Sequence, residues 1–201
     1  MNERLENELK TIRFKYYEQQ TKESYALMEW FLEKQDMGYK LYAATVTYLP
    51  LRDCDRDFTE AEVARFFKNL YWHNMLPKEI FKDKQWLGKP HLKLIQPYLW
   101  CFLELGESKK IYVSGKTLLR EGKYIESSKL HHHAIIAVHS NHIEIMDKLI
   151  GENTLNRFNR NVMTSLIEEA DIGWIGYCCK ENPITDKHTL QFGTLSSIPK
   201  N

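Results

Sequence analysis

Apolar residues recur at helical spacing over the first 35 positions. Leu5, Leu9, Ile12 and Tyr16 fall at steps of four, three and four, which gathers them on one face among Glu, Lys and Gln. The pattern predicts an amphipathic helix that Met37-Gly38 ends. From Leu41 to Tyr48 (LYAATVTY) the chain turns aromatic and β-branched and is closed by Pro50, so a strand is expected. Thr59 and Glu62 then form a T-x-x-E capping box. It precedes Val63, Phe66, Phe67, Leu70 and Tyr71 at i, i+3, i+4, i+7 and i+8, a second helix with one face that must be covered. Residues 98–105 (YLWCFLEL) and 130–138 (LHHHAIIAV) read as an antiparallel pair of strands joined by a long polar connection carrying Gly115 and Gly122. Ile143, Met146, Leu149 and Ile150 before Gly151 predict a short helix with a glycine stop, and Leu155, Phe158, Val162 and Leu166 predict another. Trp174 to Lys180 fits helix or strand, and the tail after Pro183 is turn-rich. Strands interleaved with helices point to an α+β domain built on a central, largely antiparallel sheet flanked by helices. The expected organisation is an N-terminal helical extension, 1–37, followed by a single globular unit, 38–201.

Composition narrows the class. The 201 residues carry 28 Lys+Arg against 27 Asp+Glu, a net charge of +1, so no overall charge draws the chain toward nucleic acid. Mean hydropathy is −0.52, and no apolar run approaches the length of a membrane span. The charged start MNERLENELK lacks a signal peptide's apolar segment, and a cytoplasmic location is expected. Cys54, Cys101, Cys178 and Cys179 are too irregularly spaced for a disulfide framework or a zinc ribbon, so reduced thiols are expected.

Candidate chemistry starts at Leu130-His131-His132-His133-Ala134. Side chains alternate along a strand, so His131 and His133 point to one side and His132 to the other. Two imidazoles two residues apart on one pleated face can hold the same metal ion; the plainer alternative is a solvated strand end. A metal site needs a third ligand. Glu104 is the best candidate, because it interrupts an otherwise apolar strand expected to pair with the histidine strand. A carboxylate buried there without a partner costs several kcal/mol, which solvent or a cation would relieve. Two imidazoles and one carboxylate leave coordination positions open, as catalysis requires. The third element is Tyr177-Cys178-Cys179-Lys180. On a helix, Tyr177 and Lys180 sit at i and i+3, so the ammonium can approach the phenol. A phenol is only about one part in a thousand ionised at pH 7, a penalty of roughly 4 kcal/mol that a nearby cation reduces.

Taken in order, these pieces resemble a known family. A strand containing ATVTYLP (44–50), a strand ending in Glu104-Leu105-Gly106, a His-x-His strand followed by small and aliphatic residues, and WIGYCCKE (174–181) are similar to the HUH endonucleases. Within them the likeness is to the single-tyrosine replication initiators of rolling-circle plasmids and viruses, and it runs from about Tyr39 to Glu181. The resemblance implies the family's RRM- or ferredoxin-like fold, His131, His133 and Glu104 as ligands of a divalent ion, Mn²⁺ or Mg²⁺, Tyr177 as nucleophile and Lys180 as its positioning or charge-balancing partner. It further implies nicking and joining of single-stranded DNA at a replication origin through a 5′-phosphotyrosine. A host polymerase and helicase would be partners, no membrane would be involved, and the host would be bacterial or archaeal. The N-terminal helix would either pack on the sheet or pair two copies as a homodimer.

The chain departs from the family pattern in carrying His132 where a bulky apolar residue is usual, in having no tyrosine after Tyr124 other than Tyr177, and in lacking a GxxxxGK[ST] motif. Between Lys109 and Lys129, six basic residues (Lys109, Lys110, Lys116, Arg120, Lys123, Lys129) face two acidic ones (Glu121, Glu126), with Tyr112 and Tyr124 interleaved. This connection is the expected DNA-binding segment, against the reading of a solvated hairpin. Three rivals stand beside the initiator. A single-tyrosine HUH transposase more typically has Gln where Lys180 stands, and a relaxase places its tyrosine ahead of the histidines. A non-cleaving replication factor of the same fold would tolerate loss of His131, His133 or Tyr177, all of which are present. A zinc deaminase is disfavoured because its P-C-x-x-C signature is absent.

Overall fold

A computed structural model describes residues 2–48, 60–76, 95–105, 130–151, 162–180 and 189–193. The N-terminal periodicity forms two helices where one was expected. Helix α1 (Glu3–Thr11) is capped by Asn2, whose side chain accepts from the Leu5 N–H at 2.8 Å. Ile12 caps its end, and the turn closes just beyond: Arg13 N–H reaches Lys10 O, Phe14 N–H reaches Leu9 O, and Arg13 turns into the left-handed region at φ 53°. The chain then makes a 3₁₀ turn, Tyr17–Gln19, before α2 (Lys22–Asp36). A capping box of Thr21 and Ser24 starts α2, and Gly38, at φ 92°, follows its end.

Strands β1 (Tyr39–Tyr48), β2 (Tyr98–Leu105), β3 (Leu130–His139), β4 (Val162–Glu169) and β5 (Leu190–Phe192) form one sheet in the order β4-β1-β3-β2-β5, every pair antiparallel. Helix α3 (Glu60–Leu70), continued by a π-helical turn Tyr71–Met75, falls between β1 and β2, and α4 (Glu144–Gly151) between β3 and β4. The described elements thus run β-α-β-β-α-β with inner order 4-1-3-2, the split-βαβ arrangement of an α+β fold.

Each face of the sheet is covered. Ala44, Val46, Leu99, Cys101, Ala134 and Ile136 pack beneath α3, the π turn and α4. Leu41, Trp100, Phe102, Ile135 and Ala137 pack on the other side beneath α1, α2 and the short helix α5 (Gly173–Cys178). Burial on both sides explains why β3 reads as the unbroken apolar run Ala134-Ile135-Ile136-Ala137-Val138.

Val162 and Leu166, read as helical from the sequence, belong to edge strand β4, paired with β1 from Tyr42↔Glu169 to Tyr48↔Val162. A spacing of four is even, so it lines one face of a strand as well as of a helix, and pairing with β1 decides between them. Trp174 to Cys178 is helix, and β5 lies in the tail expected to be turns. No helix among the described residues is long and apolar enough to cross a membrane.

Candidate active site on the histidine strand

The register of β3 fixes what surrounds its histidines. His131 pairs with Thr47 on β1 and Glu104 on β2, and His133 pairs with Thr45 and Phe102. The His131 and His133 rings lie edge to face with centroids 5.0 Å apart. An ion ~2.1 Å from one nitrogen of each of two imidazoles holds their centroids roughly 4.5–5 Å apart, so this pair fits the imidazole half of the expected ligand set. Glu104 stands directly across the ladder from His131, while its side chain lies outside the described residues. Among the described residues no group of three or more His, Cys, Asp or Glu gathers to hold a metal.

His132 faces the other way. It is buried on the α3 side of the sheet, its ring 5.3 Å from that of Phe67, and shares no face with its neighbours. Thr45 Oγ1 lies 3.0 Å from His133 Nδ1. With the hydroxyl accepting the Nδ1 proton, Nε2 is left with the lone pair a metal needs.

Helix α5 brings the tyrosine to this strand. Trp174 Nε1 donates to Ala134 O on β3 at 3.0 Å, and its indole lies 5.3 Å from the His133 ring. One turn on, Tyr177 stacks on Trp174 at 5.1 Å with planes 17° apart, and its ring is 5.0 Å from His133. The structure therefore gathers His131, His133 and Tyr177. Lys180 joins them: its Nζ stands 3.7 Å from the Tyr177 ring centroid, over the ring face, where a cation contributes about 0.5–2 kcal/mol. Cys179 offers no competing nucleophile, because burial pushes its thiol up to about 12.

Residues to which the sequence assigns no site role complete the surroundings. Tyr16, on the chain between α1 and α2, meets Tyr177 at 5.6 Å. Gln20 Nε2 donates to both Tyr16 O and Gly176 O at 3.0 Å, tying that chain to α5. A cavity of about 310 Å³ opens beside Tyr177 and Trp174, floored by Ala43 and rimmed by Glu168, Glu169 and Asp171. The contacts that join this chain to α5 have no local signature, since they link segments far apart in sequence. The expected DNA-binding residues Lys109, Lys110, Lys116, Arg120, Lys123 and Lys129 lie outside the described residues, as do Tyr112 and Tyr124.

Comparisons with family models, curated proteins and solved structures return no match for this chain.

Proposed function

We propose that the chain is a metal-dependent endonuclease that nicks and rejoins single-stranded DNA and initiates rolling-circle replication of a plasmid or virus. The observation that carries the reading is the approach of Tyr177 to His133, 5.0 Å between rings, with His131 another 5.0 Å along the same strand face. A phenol beside a paired-imidazole site, drawn from a helix and a strand some forty residues apart, has the makings of tyrosine phosphoryl transfer.

His131 and His133, with Glu104 opposite His131 in the ladder, would hold the ion. When bound, Mn²⁺ or Mg²⁺ supplies Lewis-acid polarisation of a phosphoryl oxygen. Tyr177 Oη attacks the scissile phosphorus, the P–O3′ bond breaks, and the phenolic proton is lost as the 3′-oxygen gains one. The products are a 5′-phosphotyrosine and a free 3′-hydroxyl. Attack by a 3′-hydroxyl reverses the step and joins strands without ATP. Trp174 stacked on Tyr177 and Lys180 over its ring restrict the phenol's orientation, which favours in-line attack. Thr45, by accepting from His133 Nδ1, would hold the tautomer whose Nε2 is open to the ion.

Incubation with a single-stranded oligonucleotide library and Mn²⁺, followed by a denaturing gel, tests the reading. The expected result is a protein–DNA adduct that a chelator and Tyr177→Phe each abolish. No adduct under any divalent ion contradicts it.

A further inference from the structure

Tyr177 stands at an electrostatic boundary. The cavity on one flank is lined by Glu168, Glu169 and Asp171; Glu169 sits opposite Tyr42 in the ladder and pairs with Lys40 at 3.0 Å, while Asp171 Oδ1 accepts from the Gly173 N–H at 2.8 Å, so Glu168 and Asp171 give this flank its acidic character. On the other flank runs the chain between α1 and α2, where residues 11–20 contain Arg13 and Lys15 and a single acid, Glu18. Phosphates are repelled from the first flank and drawn to the second.

The second flank also carries a row of rings. Tyr17 meets Phe14 at 5.1 Å, Phe14 meets Tyr16 at 5.8 Å, Tyr16 meets Tyr177 at 5.6 Å, and Tyr177 stacks on Trp174. Phe14 is a buried pillar that packs with α1 and α2, but Tyr17 at the outer end is 38% exposed. Arg13 and Lys15 are exposed beside it, and the Gln20 side chain pins the segment to the helix that bears Tyr177. Aromatic faces interleaved with cations are how proteins hold a single strand of nucleic acid: bases stack on the rings while the backbone meets Lys and Arg. Arg13 takes the left-handed position, φ 53°, that stops α1, and its side chain is exposed there.

We infer that the segment Arg13–Tyr17 is the surface that receives single-stranded DNA next to the nucleophile, with phosphates on Arg13 and Lys15 and a base stacked on Tyr17. The inference rests on the nucleic-acid reading above. It makes the N-terminal chain part of the active site and sends the backbone away from the acidic cavity.

Fluorescence anisotropy with a labelled single-stranded oligonucleotide of mixed sequence, on the full chain at low salt without metal, tests it. Tyr17→Ala and Arg13→Gly are each expected to weaken binding about fivefold or more. Lys68→Ala, exposed on α3 across the sheet, is expected to bind as the unsubstituted protein does. Arg13→Gly is also expected to raise the unfolding midpoint, which separates lost binding from lost structure. If the unsubstituted protein binds and both segment variants bind equally well, the inference is overturned while the nucleic-acid reading stands. If the unsubstituted protein does not bind single strands at all, the functional reading fails and takes the inference with it.

Discussion

Thr45 and His132 show how single side chains divide the work around the histidine strand. The Thr45 hydroxyl lies 3.0 Å from His133 Nδ1, and when it accepts the Nδ1 proton Nε2 keeps the lone pair that the proposed metal site needs. Replacement by Val puts a methyl there and frees both tautomers, so Thr45→Val is expected to weaken Mn²⁺ binding by about 10–100-fold, while Thr45→Ser retains most of it. Titration followed by the electron paramagnetic resonance signal of free Mn²⁺ measures this; equal affinity in Thr45→Val would remove the hydroxyl's role. His132 is buried against Phe67 on the opposite face. His132→Ala should therefore cost roughly 1–3 kcal/mol of unfolding free energy through lost packing yet spare nicking below the new melting temperature. His131→Ala and His133→Ala should abolish nicking, His133→Ala with a packing cost of its own because it too is buried, and equal loss of activity from all three would break the parity argument. That parity was legible in the sequence because a strand's alternation is strictly local. Thr45 was not, because a hydrogen bond across a ladder depends on register, and register is set by how β1 and β3 pair over their whole lengths.

At the scale of elements, the site depends on α5 lying close to the N-terminal chain, and Gly176 is what permits it. A Cβ at Gly176 would come within 2.2 Å of Phe14 Cζ and 2.7 Å of Met28 Cε. Both neighbours are buried in the core beneath α1 and α2, with little room to withdraw. Gly176→Ala is expected to lower stability by about 1–3 kcal/mol despite alanine's better helix propensity, and Phe14→Leu in the same chain to restore part of the loss. Denaturant unfolding of the two variants decides it, and a neutral Gly176→Ala would mean that Phe14 moves aside freely. The elements themselves were unevenly legible. Strands β1, β2 and β3 and helix α3 declare themselves through period and β-branched or aromatic content. The break between α1 and α2 does not, because its stop uses Arg13 in a position where glycine is the usual signal. Val162 and Leu166 fit a helical repeat with Leu155 and Phe158, but a spacing of four serves both structures, and pairing with β1 makes Val162–Glu169 a strand.

Across the whole molecule, a sheet buried on both faces leaves ionisable groups inside the core, and these give the fold a pH signature. Burial raises Cys179 to about 12 from an ordinary 9.0, raises Cys101 well above that ordinary value, and raises Tyr39 and Tyr71. Each of these groups binds its proton more tightly folded than unfolded. Their contribution is therefore fully present below the unfolded values and is lost as pH rises from about 9 toward 12. The melting temperature is expected to hold steady from neutral pH to about 8.5 and then to fall, and a flat profile through pH 11 would contradict this account of the core. In the proposed function, a near-neutral chain, net charge +1, would have to engage DNA through a local surface. The β-α-β-β-α-β order puts α3 and α4 on one face and leaves the other to the N-terminal helices, α5 and the His131–His133 pair. The central claim is that Tyr177 becomes covalently joined to a DNA 5′-phosphate. Tandem mass spectrometry of the nuclease-trimmed, protease-digested product from a reaction with single-stranded DNA and Mn²⁺ tests this most directly. The account predicts a nucleotide mass added to Tyr177 in the peptide spanning Trp174–Lys180. A nucleotide found on any other residue, Tyr16 included, would contradict it.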